Sequence, residues 1–148
     1  MSVAARPTGD DGSVLVLVVG LFAVLLLLVG VVVDVSAVVL AERSLASATD
    51  GAAVSAAQAI DLDAFYAGGP ADGVPLSVTG VRDRVGAYAD LAAQAQPGLT
   101  MTAEVDSGHT AVVRATRAYT VPFAGWLQVR PVELTAVARA RAPLVAGP

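Results

Sequence analysis

His109 is the single histidine of this 148-residue chain, and it follows Asp106-Ser107-Gly108, a turn-forming stretch. A Ser–His–Asp relay needs members that converge from separate places in a fold, and near neighbours on one turn cannot reach that geometry. Asp61, Asp63 and Asp72 share a Gly-rich loop and could ligate calcium. Their spacing lacks the EF-hand pattern and its bidentate Glu, which favours solvated loop acids. The absence of cysteine removes disulfides, thiolate metal sites and thiol catalysis. No enzymatic activity, metal or cofactor is expected.

The remaining candidates are contact residues. Arg114, Arg117, Arg139 and Arg141 fall in strand-like segments without aromatic interleaving, so a solvated face is favoured over a nucleic-acid site. The net charge of −4 points the same way. Phe123, Trp126 and Leu127 could form a docking patch or a membrane-interface anchor, with core packing of a connector the preferred reading. Asp34 has two readings. It is a polar contact with a partner helix or a marker of membrane depth, or else an interfacial acid facing water.

Asp34 gains its interest from what precedes it. Val14 to Val33 is an uncharged run of twenty residues, seventeen of them Val, Leu or Phe. That is about the length a bilayer requires. Such residues contribute roughly −0.4 kcal/mol each to insertion, about −7 kcal/mol together, against about +3 kcal/mol for a carboxylate at the helix centre. Asp34 lies at the end of the run, where the cost is smaller, so insertion is expected. A cleaved signal peptide is the rival, with Val35-Ser36-Ala37 resembling a cleavage site. Against it stand the length of the run, Asp10 and Asp11 on the flank, and Asp34 within the cleavage region.

The helix is expected to continue beyond the run. Val38, Ala41, Leu45, Ala48, Ala52, Ser55 and Ala59 recur at alternating spacings of three and four, opposite a stripe of Arg43, Ser47, Asp50, Val54 and Gln58. This is an amphipathic helix with a small-residue seam, which lets another element approach closely. A helix from Ser13 to about Ile60 would be roughly 70 Å long. Asp61 to Pro75 reads as a break. A second helix is expected from Thr79 as N-cap to just before Pro97-Gly98, with Val81, Val85, Tyr88, Ala92 and Ala95 as its apolar stripe. Leu99 to Asp106 alternates with a period of two, and further strands are expected over Thr110–Val121 and Val132–Ala142. Arg117 breaks the second pattern, and Val132, Leu134, Ala136 and Ala138 should face inward in the third. Three strands with one apolar face need a cover, and the helix seam is the candidate.

This order resembles pilin-like proteins. Gly12-Ser13-Val14, the apolar run, Val33-Asp34-Val35-Ser36 and the block Ala48-Thr49-Asp50-Gly51-Ala52-Ala53 together resemble the TadE/TadG family of Flp pilus-assembly proteins. Val121-Pro122-Phe123 with Gly125-Trp126-Leu127 and a final alternating strand are also similar to it. The Asp50 block at its distance from Asp34 is the most specific part. The resemblance implies a possible processing point between Gly12 and Ser13. Leu17 would then stand where processed pilins carry Glu, so membrane retention is favoured over polymerisation. Asp34, Asp50, Phe123 and Trp126 become candidate partner contacts.

The expected architecture is therefore α+β and pilin-like: a long N-terminal transmembrane helix continuing into a projecting helix, a second short helix and a three-stranded antiparallel sheet. Residues 1–13 form a leader, 14–60 the helix and its extension, and 61–148 an extracytoplasmic domain. The expected function is a non-enzymatic, single-pass membrane component of a Flp/Tad-type pilus or related secretion apparatus, a minor pseudopilin or accessory assembly protein. Its N-terminus would be cytoplasmic, and its partners would be membrane lipid and other pilus or secretion-system proteins through helix packing, not nucleic acid. The alternative is a tethered or cleaved interaction domain unrelated to pili.

Overall fold

The computed structural model describes residues 11–68, 73–123 and 130–142. Helix α1 (Asp11–Ala56) runs through 46 residues, about 70 Å at 1.5 Å per residue. No proline interrupts it. Gly20, Gly30 and Gly51 each cost about 1 kcal/mol of helix propensity relative to Ala, too little to break so long a segment, and α1 continues past Gly51.

Two environments divide this helix. Its first half is the one helix among the described residues long and apolar enough to cross a membrane, by length and composition, and its apolar window is wholly unburied. Its last turns are packed. Ala41, Leu45, Ala48, Thr49, Ala52, Ala53 and Ala56 are buried. Every position of the expected seam from Val38 to Ala59 is buried or half-buried, and Arg43, Ser47, Asp50, Val54 and Gln58 are exposed.

The helix stops at Ala56, short of Ile60. Gln58 N donates to Ser55 O (3.2 Å) and Ala59 N to Ala56 O (3.0 Å), the tightened turn common at helix ends. Ile60 then forms an isolated antiparallel bridge with Leu76. The expected break after Asp61 contains a short helix, α2 (Leu62–Gly68), which the Gly and Pro residues downstream obscured. Asp61 supplies its start, with Oδ1 accepting from Ala64 N at 3.0 Å.

Helix α3 (Val78–Ala95) is capped by Ser77, not Thr79. Ser77 N donates to Ala59 O at 2.8 Å, which holds Ser77 extended. Its Oγ then accepts from Gly80 N at 3.2 Å, so Thr79 falls inside the helix. Val81 and Val85 are buried and Tyr88 and Ala92 half-buried, whereas Ala95, at the frayed end, is exposed.

Strands β1 (Leu99–Asp106), β2 (Thr110–Tyr119) and β3 (Val132–Arg141) form one antiparallel sheet in sequence order. The β1–β2 turn places Ser107 (φ 54°) and Gly108 (φ 76°) in the left-handed region, as tight hairpins require. β2 ends before Val121, because Pro122 has no N–H to give and restricts the residue before it. Val132 lies in the inward row with Leu134, Ala136 and Ala138 but is left exposed, since it opens β3 opposite the end of β2 at Tyr119. Arg117 sits across from Leu99 and Leu134, both buried, and so occupies the core-facing row despite its charge. Its guanidinium lies 5.7 Å from the Tyr119 ring centroid, within the range of a cation–π contact.

Helices α1 and α3 share the inner face of the sheet, which makes the protein an α+β fold. Its core has two parts. One joins Ala52, Ala53, Ala56 and Ala59 to Leu76, Val81, Val85, Ala111, Val113 and Ala138. The other lies nearer the apolar half of α1 and joins Ala41 and Leu45 to Leu99, Ala115 and Leu134.

Candidate functional site

The junction between the apolar half of α1 and the sheet domain is built around Asp34. Helical spacing puts Gly30, Asp34 and Val38 on one face, each four residues from the next, and all three are half-buried. They carry the small-residue seam downward into the apolar run. Val38 packs against the Leu45 cluster, and the start of the β2–β3 connector meets Asp34 and Gly30. Phe123 N donates to Asp34 Oδ1 at 2.8 Å. The Phe123 ring lies over Gly30, with Cγ 3.9 Å from where a Cβ would stand. The ring is itself half-exposed, at 51 %.

The hydrogen bond joins residues 89 positions apart. Asp34, offered by the sequence to a partner helix, thus engages this chain's own backbone with one oxygen. The signal for it was Gly30, four residues before Asp34, which periodicity could have included in the seam. Phe123 was correctly singled out, but only the fold shows which helix residues it meets. Trp126 and Leu127 lie outside the described residues.

If the Asp34 carboxylate holds the connector, Asp34→Ala should accelerate hydrogen exchange at the Phe123 amide, and Asp34→Asn should largely preserve protection through its side-chain carbonyl. The expected cost of the Ala variant is about 1 kcal/mol, the ordinary net worth of one hydrogen bond.

The Asp50 block is mostly a packing device. Thr49 is fully buried, and its hydroxyl donates to Leu45 O at 2.7 Å. Gly51 lies under Tyr88 of α3, whose hydroxyl and Cζ occupy the space a side chain would need. Ala52 and Ala53 enter the core. Asp50 alone faces outward. Ser44 and Gln96 add a polar tie between α1 and the end of α3, through Gln96 Nε2 to Ser44 Oγ at 3.0 Å.

The other candidates do not converge. Ser107 Oγ donates to Asp106 Oδ1 at 3.1 Å, and the His109 ring packs against Gly73, 3.0 Å from its would-be Cβ. Asp61 caps α2, and Asp72 lies outside the described residues. Among the described residues no group of three or more His, Asp or Glu could hold a metal. Arg114, Arg139 and Arg141 are exposed on the outer sheet face. There, the register continues the Val112–Arg139 pair to Glu104 and the Thr110–Arg141 pair to Asp106, so acids stand at the β1 edge and bases at β3. Gly12 and Ser13 lie in the first turn of α1, and Leu17 is exposed on it.

Residues 12–59 match the family model described as "Putative Flp pilus-assembly TadE/G-like". The matched stretch holds Gly30, Asp34 and the Asp50 block together. No curated protein matches the chain. No solved structure matches it. The family match and the membrane-length helix support a protein related to pilus assembly, and a single apolar helix of this kind fits a single-pass membrane protein.

Proposed function

We propose that this chain is a non-enzymatic, single-pass membrane component of a Flp-type pilus or related secretion apparatus, acting as a minor pseudopilin or accessory assembly protein. The observation that carries the proposal is the continuity of α1. One unbroken helix leaves the apolar run and becomes the spine of the folded domain, within the stretch that matches the family. A protein built this way transmits the position and tilt of its anchor to its domain. The exposed face of the apolar half packs against lipid and partner helices, and exposed Asp50 and the outer sheet face are left for extracytoplasmic contacts. The N-terminus is cytoplasmic in this reading.

The Asp34 junction supports retention of the anchor. A cut after Ala37 would divide α1 in mid-helix and remove the acceptor of the Phe123 amide.

The test is intact mass and N-terminal sequencing of the membrane-extracted protein, followed by photocrosslinking from Val54, which is exposed on the projecting part of α1. The expected product retains Asp34, uncut or starting at Ser13, and crosslinks to pilus or secretion components. A mature start at Val38 would overturn the anchor. A retained anchor whose crosslinks never include such components would overturn the assembly role.

A further inference from the structure

We infer that Phe123, at the start of the β2–β3 connector, is a second membrane contact, its ring seated in the lipid interface beside α1. This rests on the reading of α1 as a membrane anchor. The argument is one of height. The run from Val14 to Val33 is about 30 Å long as a helix, which matches the hydrocarbon thickness of a bilayer. Gly30 is three residues inside the domain-proximal end of that run, about 4.5 Å along the axis. The Phe123 ring lies at the level of Gly30, with Cγ 3.9 Å from its would-be Cβ, so it sits at or just inside the edge of the apolar layer.

The surroundings at that level are apolar and open. Val31, Val32, Val33 and Val35 are all exposed around the helix, and Phe123 leaves about half of its own surface uncovered. The exposed ring is continuous with the face that the anchor presents to lipid. The half-open Phe123 ring packs on Gly30 at ordinary van der Waals distance, and an apolar ring left exposed at that level is buried favourably at the boundary between acyl chains and headgroups. The backbone is suited to the same place. Pro122 has no N–H to leave unpaired, and the N–H of Phe123 is taken up by Asp34 at 2.8 Å. Tyr119 packs against the lower core cluster together with Val38, four residues beyond Asp34 on α1, so an amphipathic ring follows Phe123 on the domain side. The domain thus rests on the bilayer at two points, the helix and the connector, which restricts rocking of the domain about α1.

The chain has no cysteine, so single nitroxide labels can be placed without background. The full chain is reconstituted in phosphatidylcholine–phosphatidylglycerol vesicles with a label at Phe123→Cys, at Leu21→Cys within the apolar run, or at Val54→Cys on the projecting helix. Relaxation by oxygen and by a water-soluble nickel chelate is then compared. The expected result is that the label at 123 loses nickel relaxation relative to 54 and gains oxygen relaxation, as the label at 21 does. Phe123→Trp combined with Trp126→Phe provides a second reading, expected as quenching by lipids brominated near the headgroup end of the acyl chains. That reading decides the matter if the cysteine variant fails to fold. Nickel access at 21 would sink the membrane anchor itself. Shielding at 21 with nickel access at 123 and no quenching would overturn the connector contact alone. A position 123 open in vesicles but shielded in native membranes would assign the ring to a partner protein and equally overturn the lipid contact.

Discussion

Replacing Leu45 by Ala is expected to destabilise the sheet domain by about 2–5 kcal/mol, the range for deleting a buried Leu side chain. Leu45 is 1 % exposed and is the largest side chain that α1 places in the lower core cluster. Its cluster neighbours include Ala41 and Ala115, which have no length with which to refill the space. Residual cavity volume sets the cost of such changes, so the upper half of the range is expected. Small domains hold only about 5–15 kcal/mol in all, so this one substitution should leave the domain marginal while α1 still inserts. Pulse proteolysis with trypsin of the full chain in nanodiscs measures this, since every basic residue is Arg and Arg114 and Arg139 lie on the sheet. Cleavage there should begin at much lower denaturant in the variant. An unchanged midpoint would mean that α1 does not pack on the sheet as described.

Ala52→Leu is expected to be destabilising by about 1–3 kcal/mol or more, although Leu is a good helix former and more apolar than Ala. Ala52 is fully buried, between its own helix neighbours Ala53 and Ala56 and a sheet face of Ala111 and Val113. Alanines bring the α1 backbone close to the sheet. Three added carbons at so close a contact require α1 to lift or the strands to shift. The same change at Val54, two residues away but 57 % exposed, should stay within about 0.5 kcal/mol. Thermal unfolding of both variants in the same nanodiscs measures the difference, which exceeds the few tenths of a kcal/mol that separate these residues in helix propensity if the seam imposes a steric requirement. A neutral Ala52→Leu would show that the seam has slack.

Much of this was legible in the sequence because it rests on periodicity. Twenty apolar residues in series, the three-and-four spacing from Val38 to Ala59, and the alternation from Leu99 to Asp106 each reflect a repeat of the local backbone. In the helix seam and the first strand, burial followed the pattern nearly residue by residue. The shortfalls came where a distant partner decides. Ser77 displaced Thr79 as the cap because Ala59 O holds its N–H. Helix α2 is instead a local miss, formed in a stretch that punctuation marked as a break because Asp61 satisfies its first turn. Arg117 kept the core-facing row because antiparallel register leaves an inner-row residue no other side, and Tyr119 gives its cation a place.

The sequence by itself determined that there is an anchor-length helix, that its second half offers a seam of small residues, and that a three-stranded sheet follows. These are properties of composition and repeat, and need no knowledge of which segments meet. Only the tertiary structure decided what Asp34 and Gly30 are for. Their partner, Phe123, is 89 residues from Asp34 along the chain, and no local pattern encodes a hydrogen bond whose donor is a backbone amide in a connector. Hydrophobic periodicity states which faces must be covered, but what covers them depends on where the sheet's loops end. Here one of them ends beside the last turn of the apolar run.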